Sequence, residues 1–211
     1  MTAVPRATVP NTGIPTGTVA AVPADAVARI VGATIDQLVA EGIGAFNLQD
    51  VARRAGVSKG LIHYHFASRE ALLARAIEFM HGGMTARLAD ALVDASPAGA
   101  IDELWEALEH ELALGHLRLL GELAHDPVPD VRSAVERALR ERRQGLTAAI
   151  ERLLGLLSLT PRVPTALIAE VVLAFEQGLA CRADAGAPGD MDAERRATFD
   201  VMWLALLSIT E

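Results

Sequence analysis

Residues 47–66 read NLQDVARRAGVSKGLIHYHF and hold the only lysine, Lys59, and the only tyrosine, Tyr64, of a 211-residue chain. The local chemistry spells two short helices around a tight turn. Asn47 is placed to cap the first, and Asp50, three positions on, suits the positive end of its dipole. Leu48, Val51, Ala52 and Ala55 recur at helical spacing and make one apolar face. Gly56 suits the left-handed residue that stops a helix, Val57 supplies a buried contact in the turn, and Ser58 caps a second helix running through His65. On that helix Ile62 and Phe66 share one face, which turns Lys59, Gly60, Leu61, His63 and Tyr64 toward the other. The unit is a helix-turn-helix with its basic, polar and aromatic residues outward.

The flanks support this. Ala26 to Glu41 reads as an amphipathic helix with Ile30, Ala33, Ile35, Leu38 and Val39 available to cover the pair, and Ser68 with Glu70 opens another long helical pattern. The run Ala55-Gly56-Val57-Ser58, a variable triplet, then Ile62-His63-Tyr64-His65-Phe66 and Ser68-Arg69-Glu70, strongly resembles the N-terminal domain of the TetR family of transcriptional repressors. The remainder agrees in length and helical layout. The resemblance implies an all-α fold of about nine helices: a three-helix helix-turn-helix DNA-binding domain over residues 25–70, then a larger ligand-binding and dimerisation domain over residues 71–211. It also implies roles for named residues. Lys59, opening the recognition helix, pairs with guanine or a phosphate, and Gly60 lets the backbone approach the groove. The apolar side chain of Leu61 suits a thymine methyl, and Gln49 reaches a base edge. Asn47, Ser58 and Tyr64 fall in the contacting segment, and Arg69 with the next helix start faces the flanking phosphates. His63 departs from the family's usual tyrosine and makes its contact sensitive to pH. His65 reads as a packed, hydrogen-bonded scaffold residue.

Charge is divided unevenly. The chain is net −8, yet residues 1–80 carry 7 Lys and Arg against 6 Asp and Glu, while residues 81–211 carry 12 against 21. The acidity belongs to the second domain, and the nearly neutral first domain must rely on helix N-termini and a few cations for phosphate contact. One cysteine excludes an intrachain disulfide framework and is compatible with the cytoplasm. The apolar run Val201 to Ile209 is far too short to span a membrane. Residues 1–24 are rich in Thr, Ala, Val and Pro with a single Arg6, lack a continuous apolar core, and read as a disordered arm rather than a signal peptide.

The second domain is patterned as helices at Ala71 to about Asp94, with an interruption expected at Gly82-Gly83, then at Ala100 to Leu114, a short one ending near His125, Val131 to Leu157, Ala166 to Arg182 and Asp192 to Ile209. The last two are apolar around much of their circumference, which calls for a second burial partner. Under the resemblance that partner is the same pair from a second subunit, so Val171, Val172, Leu179, Phe199, Met202, Trp203 and Leu206 are expected in a homodimer interface, with Cys181 a small buried residue there. A twofold protein reads a palindromic operator in double-stranded DNA, one recognition helix per half-site. The resemblance also implies a small apolar effector; Trp105, Leu108 and Leu112 share a face, and Met84, Leu88, His116, Leu120 and Phe175 complete the expected lining.

A rival reading comes from Glu78-x-x-His81 and Glu122-x-x-His125, the spacing of carboxylate-bridged di-metal helical enzymes, with Glu106 and Glu109 as further carboxylates. The first motif runs into Gly82-Gly83 and the second into Asp126-Pro127, so solvated helix ends account for both more simply. There is no nucleophile-base-orienter set and no phosphate loop, and no cofactor is expected.

Overall fold

The computed structural model describes residues 24–182 and 190–211, and these form nine α-helices in the all-α arrangement expected. The arm and the Gly/Pro/Asp loop 184–190 fall almost wholly outside the described residues. No described helix is long and apolar enough to cross a membrane.

Helix α1 (Ala24–Ala45) is interrupted by a kink at Gly42, whose φ of 73° and ψ of 170° end the regular helix where the periodic pattern ends. α2 (Leu48–Ala55) then packs against it, and α3 (Lys59–His65) packs against α2. Their caps follow the sequence closely. Asn47 Oδ1 accepts from the Asp50 amide at 2.9 Å, Gly56 adopts φ 63° at the end of α2, and Ser58 Oγ accepts from the Leu61 amide at 3.1 Å. The Asn47 amide donates to Asp50 in turn, and this bond with the nearby Arg53 holds the Asp50 carboxyl below the usual carboxylate range. Arg29 on α1 donates to the Ala55 carbonyl at 2.9 Å and satisfies an orphaned end of α2. Val51, Ala52, Ala55, Ile62 and Phe66 close the core of this small unit, and Val57 is half-buried against it.

α4 (Arg69–Ala91) starts at Ser68, whose Oγ accepts from the Ala71 amide at 3.0 Å. It runs through Gly82-Gly83 without a break, contrary to the interruption expected there. Each interior glycine costs a helix only about 1 kcal/mol. Met80, His81, Met84 and Leu88, buried on either side, supply the packing that holds the turn. α5 (Ala100–Ala113), α6 (His116–Leu123), α7 (Pro129–Leu157), α8 (Thr165–Arg182) and α9 (Asp190–Leu207) complete the larger domain, in which α7 is wedged between α4 and α8.

Two buried polar clusters hold these helices in register. Between α7 and α8, Arg142 Nε donates to Glu176 Oε2 at 3.0 Å and Nη2 to Oε1 at 2.7 Å, with both side chains less than 5% exposed. Between α4, α5 and α6, Glu111 receives Arg87 Nε at 2.5 Å and lies 2.8 Å from His116 Nδ1. Burial pushes the Glu111 carboxyl upward, but the bonds from His116 and Arg87 outweigh it and hold it below its ordinary value.

His81 is buried where α4 meets α7, with Nδ1 3.3 Å from Glu141 and Nε2 3.3 Å from Thr85 Oγ1. Burial lowers its pKa, Arg142 adds to the lowering, and Glu141 opposes both. The folded state thus favours neutral imidazole, and this contribution to stability is complete above the unfolded pKa of about 6.5 and is lost as pH falls from there through the folded value. Melting temperature is expected to drop between pH 7 and 5.5 more steeply for the wild type than for His81→Gln. Equal slopes in scanning calorimetry count against His81 as the titrating group.

Two connections join the three N-terminal helices to the rest. One is α4 itself. The other is the α5–α6 corner, where Gly115 takes φ 70° and a Cβ built there would stand 3.1 Å from Val39 Cγ1, so a larger residue would be strained in its backbone and crowded against α1. Beside it Arg118 on α6 donates to the Val39 carbonyl of α1 at 2.8 Å.

α8 and α9 distribute their apolar residues differently from the even wrapping their composition suggests. Val172, Leu179, Phe199 and Trp203 are buried within the single chain, Phe199 lying 5.2 Å from Trp105 and 6.1 Å from Trp203 between ring centroids. Met202 and Leu206 are half-buried. Val172, Leu179, Phe199 and Trp203 thus find their packing partners within the single chain. The apolar side chains left in solvent are Leu167 and Val171 on α8 and Val201 and Leu204 on α9, the last 73% exposed. Cys181 is exposed in the single chain, in the last turn of α8.

Candidate nucleic-acid interface and effector cavities

The reading surface is built by burying one side of α3 and leaving the other free. Ile62 is 1% exposed and anchors the helix against α2, while Phe66 closes its end. With that face fixed, Lys59, Gly60, His63 and Tyr64 all project into solvent, Tyr64 at 72% exposure, and Leu61 is half-buried beside them. Most of the Tyr64 ring is thus left open to solvent. Gln49 on α2 and Ser58 in the turn are exposed on the same unit.

Two of the residues expected to contact DNA are committed elsewhere. The Asn47 side chain both accepts from and donates to Asp50 as the α2 cap. The Arg69 guanidinium lies 4.9 Å from the centroid of the Phe46 ring and donates toward the Ile43 carbonyl at 3.5 Å, which ties the start of α4 to the end of α1. Arg54 is likewise paired, with Glu41. His65 corrects the expectation of a hydrogen-bonded scaffold residue: it packs edge-on against Tyr64 at 5.1 Å, but its Nε2 is buried with no protein partner. His65 is the last residue of α3, and the chain leaves the helix in extended conformation at Phe66 without bringing a carbonyl to that nitrogen.

In the second domain the expected ligand lining does not converge on one space. Leu88 borders a cavity of about 150 Å³ between α4 and α7, together with Thr85, Leu92, Gly145, Ala149 and Arg152. Trp105 and Leu112 border a separate, more polar cleft of about 650 Å³ that includes Glu106, Glu109, His110 and Arg195. A third, of about 440 Å³, lies among α6, α7 and α8 and includes Leu117, Leu139 and Cys181. Met84, Leu108 and Leu120 are buried in core packing, His116 is bonded to Glu111, and Phe175 stacks toward Phe199. Thr85, Gly145 and Arg152 escape a sequence reading because cavity lining depends on which helices neighbour each other, and periodicity within one helix is silent on that.

The metal-enzyme reading finds no assembled site. Among the described residues no group of three or more His, Cys, Asp or Glu is gathered so as to hold a metal ion. Because α4 is unbroken, Glu78 and His81 do sit in mid-helix, contrary to expectation, but Glu78 faces Arg75 and Arg137 while His81 faces Glu141 and Thr85. Glu122 pairs with Arg118 on the same helix.

Comparison with known proteins agrees with the helix-turn-helix. Residues 30–76 match the family model described as bacterial regulatory proteins, tetR family. The chain is 29% identical over 80 residues to the HTH-type transcriptional regulator SrpR of Pseudomonas putida, covering 38% of this chain and 34% of that protein. It is 25% identical over 132 residues to the HTH-type transcriptional regulator TtgR of the same species, covering 58% and 63% respectively. The matches thus span between about a third and somewhat under two-thirds of these curated relatives. A transcriptional regulator from Rhodococcus sp. shares the fold at a TM-score of 0.70 and 24% identity, over 87% of this chain and 97% of that one. The caps, the buried Ile62 anchor and the outward Lys59 and Tyr64 all lie inside the matched region, so residues 30–76 form a helix-turn-helix of the kind found in the TetR family of bacterial transcriptional regulators.

Proposed function

We propose that the protein is a ligand-responsive repressor that works in the cytoplasm as a homodimer on a palindromic operator and is released by a small, largely apolar molecule. The observation that carries this reading is the free face of α3, where Lys59, Gly60, His63 and Tyr64 are exposed around a buried Ile62. Such a helix fits the major groove, with Lys59 placed for a guanine or a phosphate and Leu61 for a thymine methyl. The exposed Leu167, Val171, Val201 and Leu204 on α8 and α9 supply the face that a second copy covers. Two copies then present two α3 helices to two half-sites.

Release follows from the two interdomain connections. A shift of α4 against α7, or of the Gly115 corner against Val39, changes how each three-helix unit is held and hence the spacing of the two reading helices. The effector must bind the DNA-incompetent arrangement more tightly, because equal affinity for both arrangements shifts nothing.

Selection of bound duplexes from a random pool is the direct test, with a twofold-symmetric sequence expected to emerge; a pool left unenriched overturns the reading. With that duplex in hand, Lys59→Ala separates two roles. If Lys59 neutralises a phosphate, the slope of log affinity against log salt shrinks by about one unit. If it reads guanine, selectivity falls at a single base pair, by about 1–3 kcal/mol. Binding unchanged in both respects removes Lys59 from the interface.

A further inference from the structure

We propose that the cavity between α4 and α7 is a binding site for a small monocarboxylate with a compact apolar body, of the size of benzoate. The proposal rests on the ligand-responsive reading above and gives that ligand a place and a chemical class. Contacts at Glu78 with Arg137, His81 with Glu141, Leu88 with Gly145 and Val93 with Arg152 rise together along both chains, so α4 and α7 run side by side in the same direction. Thr85 therefore stands at one end of the cavity and Arg152 at the other, with Leu88, Leu92 and Ala149 forming apolar walls between them.

The volume of about 150 Å³ is that of an apolar cavity able to take up one benzene ring. Gly145 keeps it open. A Cβ there would lie 3.7 Å from Leu88 Cδ2 and 3.8 Å from Thr85 Cγ2, which is ordinary contact, so helix packing does not require glycine. Glycine also weakens a helix interior relative to alanine, and its presence in the middle of α7 is thus left without a packing reason.

Arg152 sets the charge of the ligand. Its Nη2 donates to the Val93 carbonyl at 3.2 Å, and among the described residues it meets no carboxylate. The remaining nitrogens present a fork that matches a carboxylate. The second domain is acidic as a whole, but those charges are screened over a Debye length of about 8–10 Å, while the guanidinium is in direct contact with the cavity mouth. An occupant here lies against α4 and so bears directly on the helix that carries the reading head.

Benzoate is the probe, titrated into the full chain by calorimetry. We expect saturable binding with one site per chain, about tenfold weaker binding to Arg152→Gln, and similarly weak binding of benzyl alcohol to the wild type. Gly145→Leu and, independently, Ala149→Leu fill the cavity and are expected to abolish binding with unchanged helical circular dichroism. No saturation at millimolar benzoate, or binding undiminished in both filled variants, overturns the site. Equal affinity of the wild type and Arg152→Gln overturns the carboxylate. A chain that selects a DNA duplex but does not bind benzoate loses only this site. A chain that binds benzoate in a Gly145-dependent way but selects no duplex loses the regulator reading instead.

Discussion

Glu176→Ala is expected to lower the stability of the folded chain by about 3–5 kcal/mol, because it leaves the Arg142 guanidinium buried without its counter-charge. Arg142 makes two bonds to Glu176 and none through Nη1, which is itself buried without a partner. Removing the carboxylate strands all three donor positions in a site only 3% exposed. For a chain of this size the loss corresponds to a melting temperature lower by roughly 10 °C. Arg142→Met with Glu176→Leu is expected to recover most of it, since two apolar side chains of similar volume avoid the desolvation cost of both charges. A single variant as stable as the wild type in denaturant titration counts against a structural role for the pair. A double variant no better than the single one means that the pair orders α7 against α8 in a way apolar packing cannot replace.

Val201→Glu with Leu204→Glu is expected to convert the proposed dimer to a monomer. Both side chains are exposed in the single chain, at 66% and 73%, so the substitution leaves the protomer's own core untouched. Each change occurs twice at a twofold interface, and burying an unpaired carboxylate costs several kcal/mol, so dimer dissociation rises by roughly a thousandfold or more. Sedimentation should show a monomer at micromolar concentration with unchanged helical circular dichroism, and a melting temperature that no longer depends on protein concentration. Affinity for a two-half-site duplex should fall steeply because each chain then binds one half-site alone. The matching change at a buried residue of the same helices, Trp203→Glu, should instead unfold the protomer. A double variant that still sediments as a dimer places the interface elsewhere.

The contrast between those two α9 variants marks how far the sequence can be read. Composition identifies α8 and α9 as apolar beyond one stripe, but an apolar residue on every side offers no period from which to choose the buried face. The fold decides it: Phe199 and Trp203 turn inward to meet Trp105, and Val201 and Leu204 are left outside. At Gly82-Gly83 the local cost of two glycines points to a break, and the packing of Met80 and Met84, invisible locally, offsets it. His65 shows the reverse, a local expectation of a partner that the end of α3 does not bring within reach.

What the sequence determined by itself is the reading head. Asn47, Gly56 and Ser58 fix the ends of α2 and α3 through bonds spanning at most a few residues, and Ile62 with Phe66 selects the buried face over a single helical turn. Interactions of that range are written in adjacent letters. Tertiary structure alone decided the Arg142–Glu176 pair, the Val39 contact with Gly115 and Arg118, and the cavity between α4 and α7, whose partners are separated by 34 to 79 residues in the first two. Those contacts arise from which helices become neighbours. That depends on the summed packing of many weakly patterned faces, and no short motif records it.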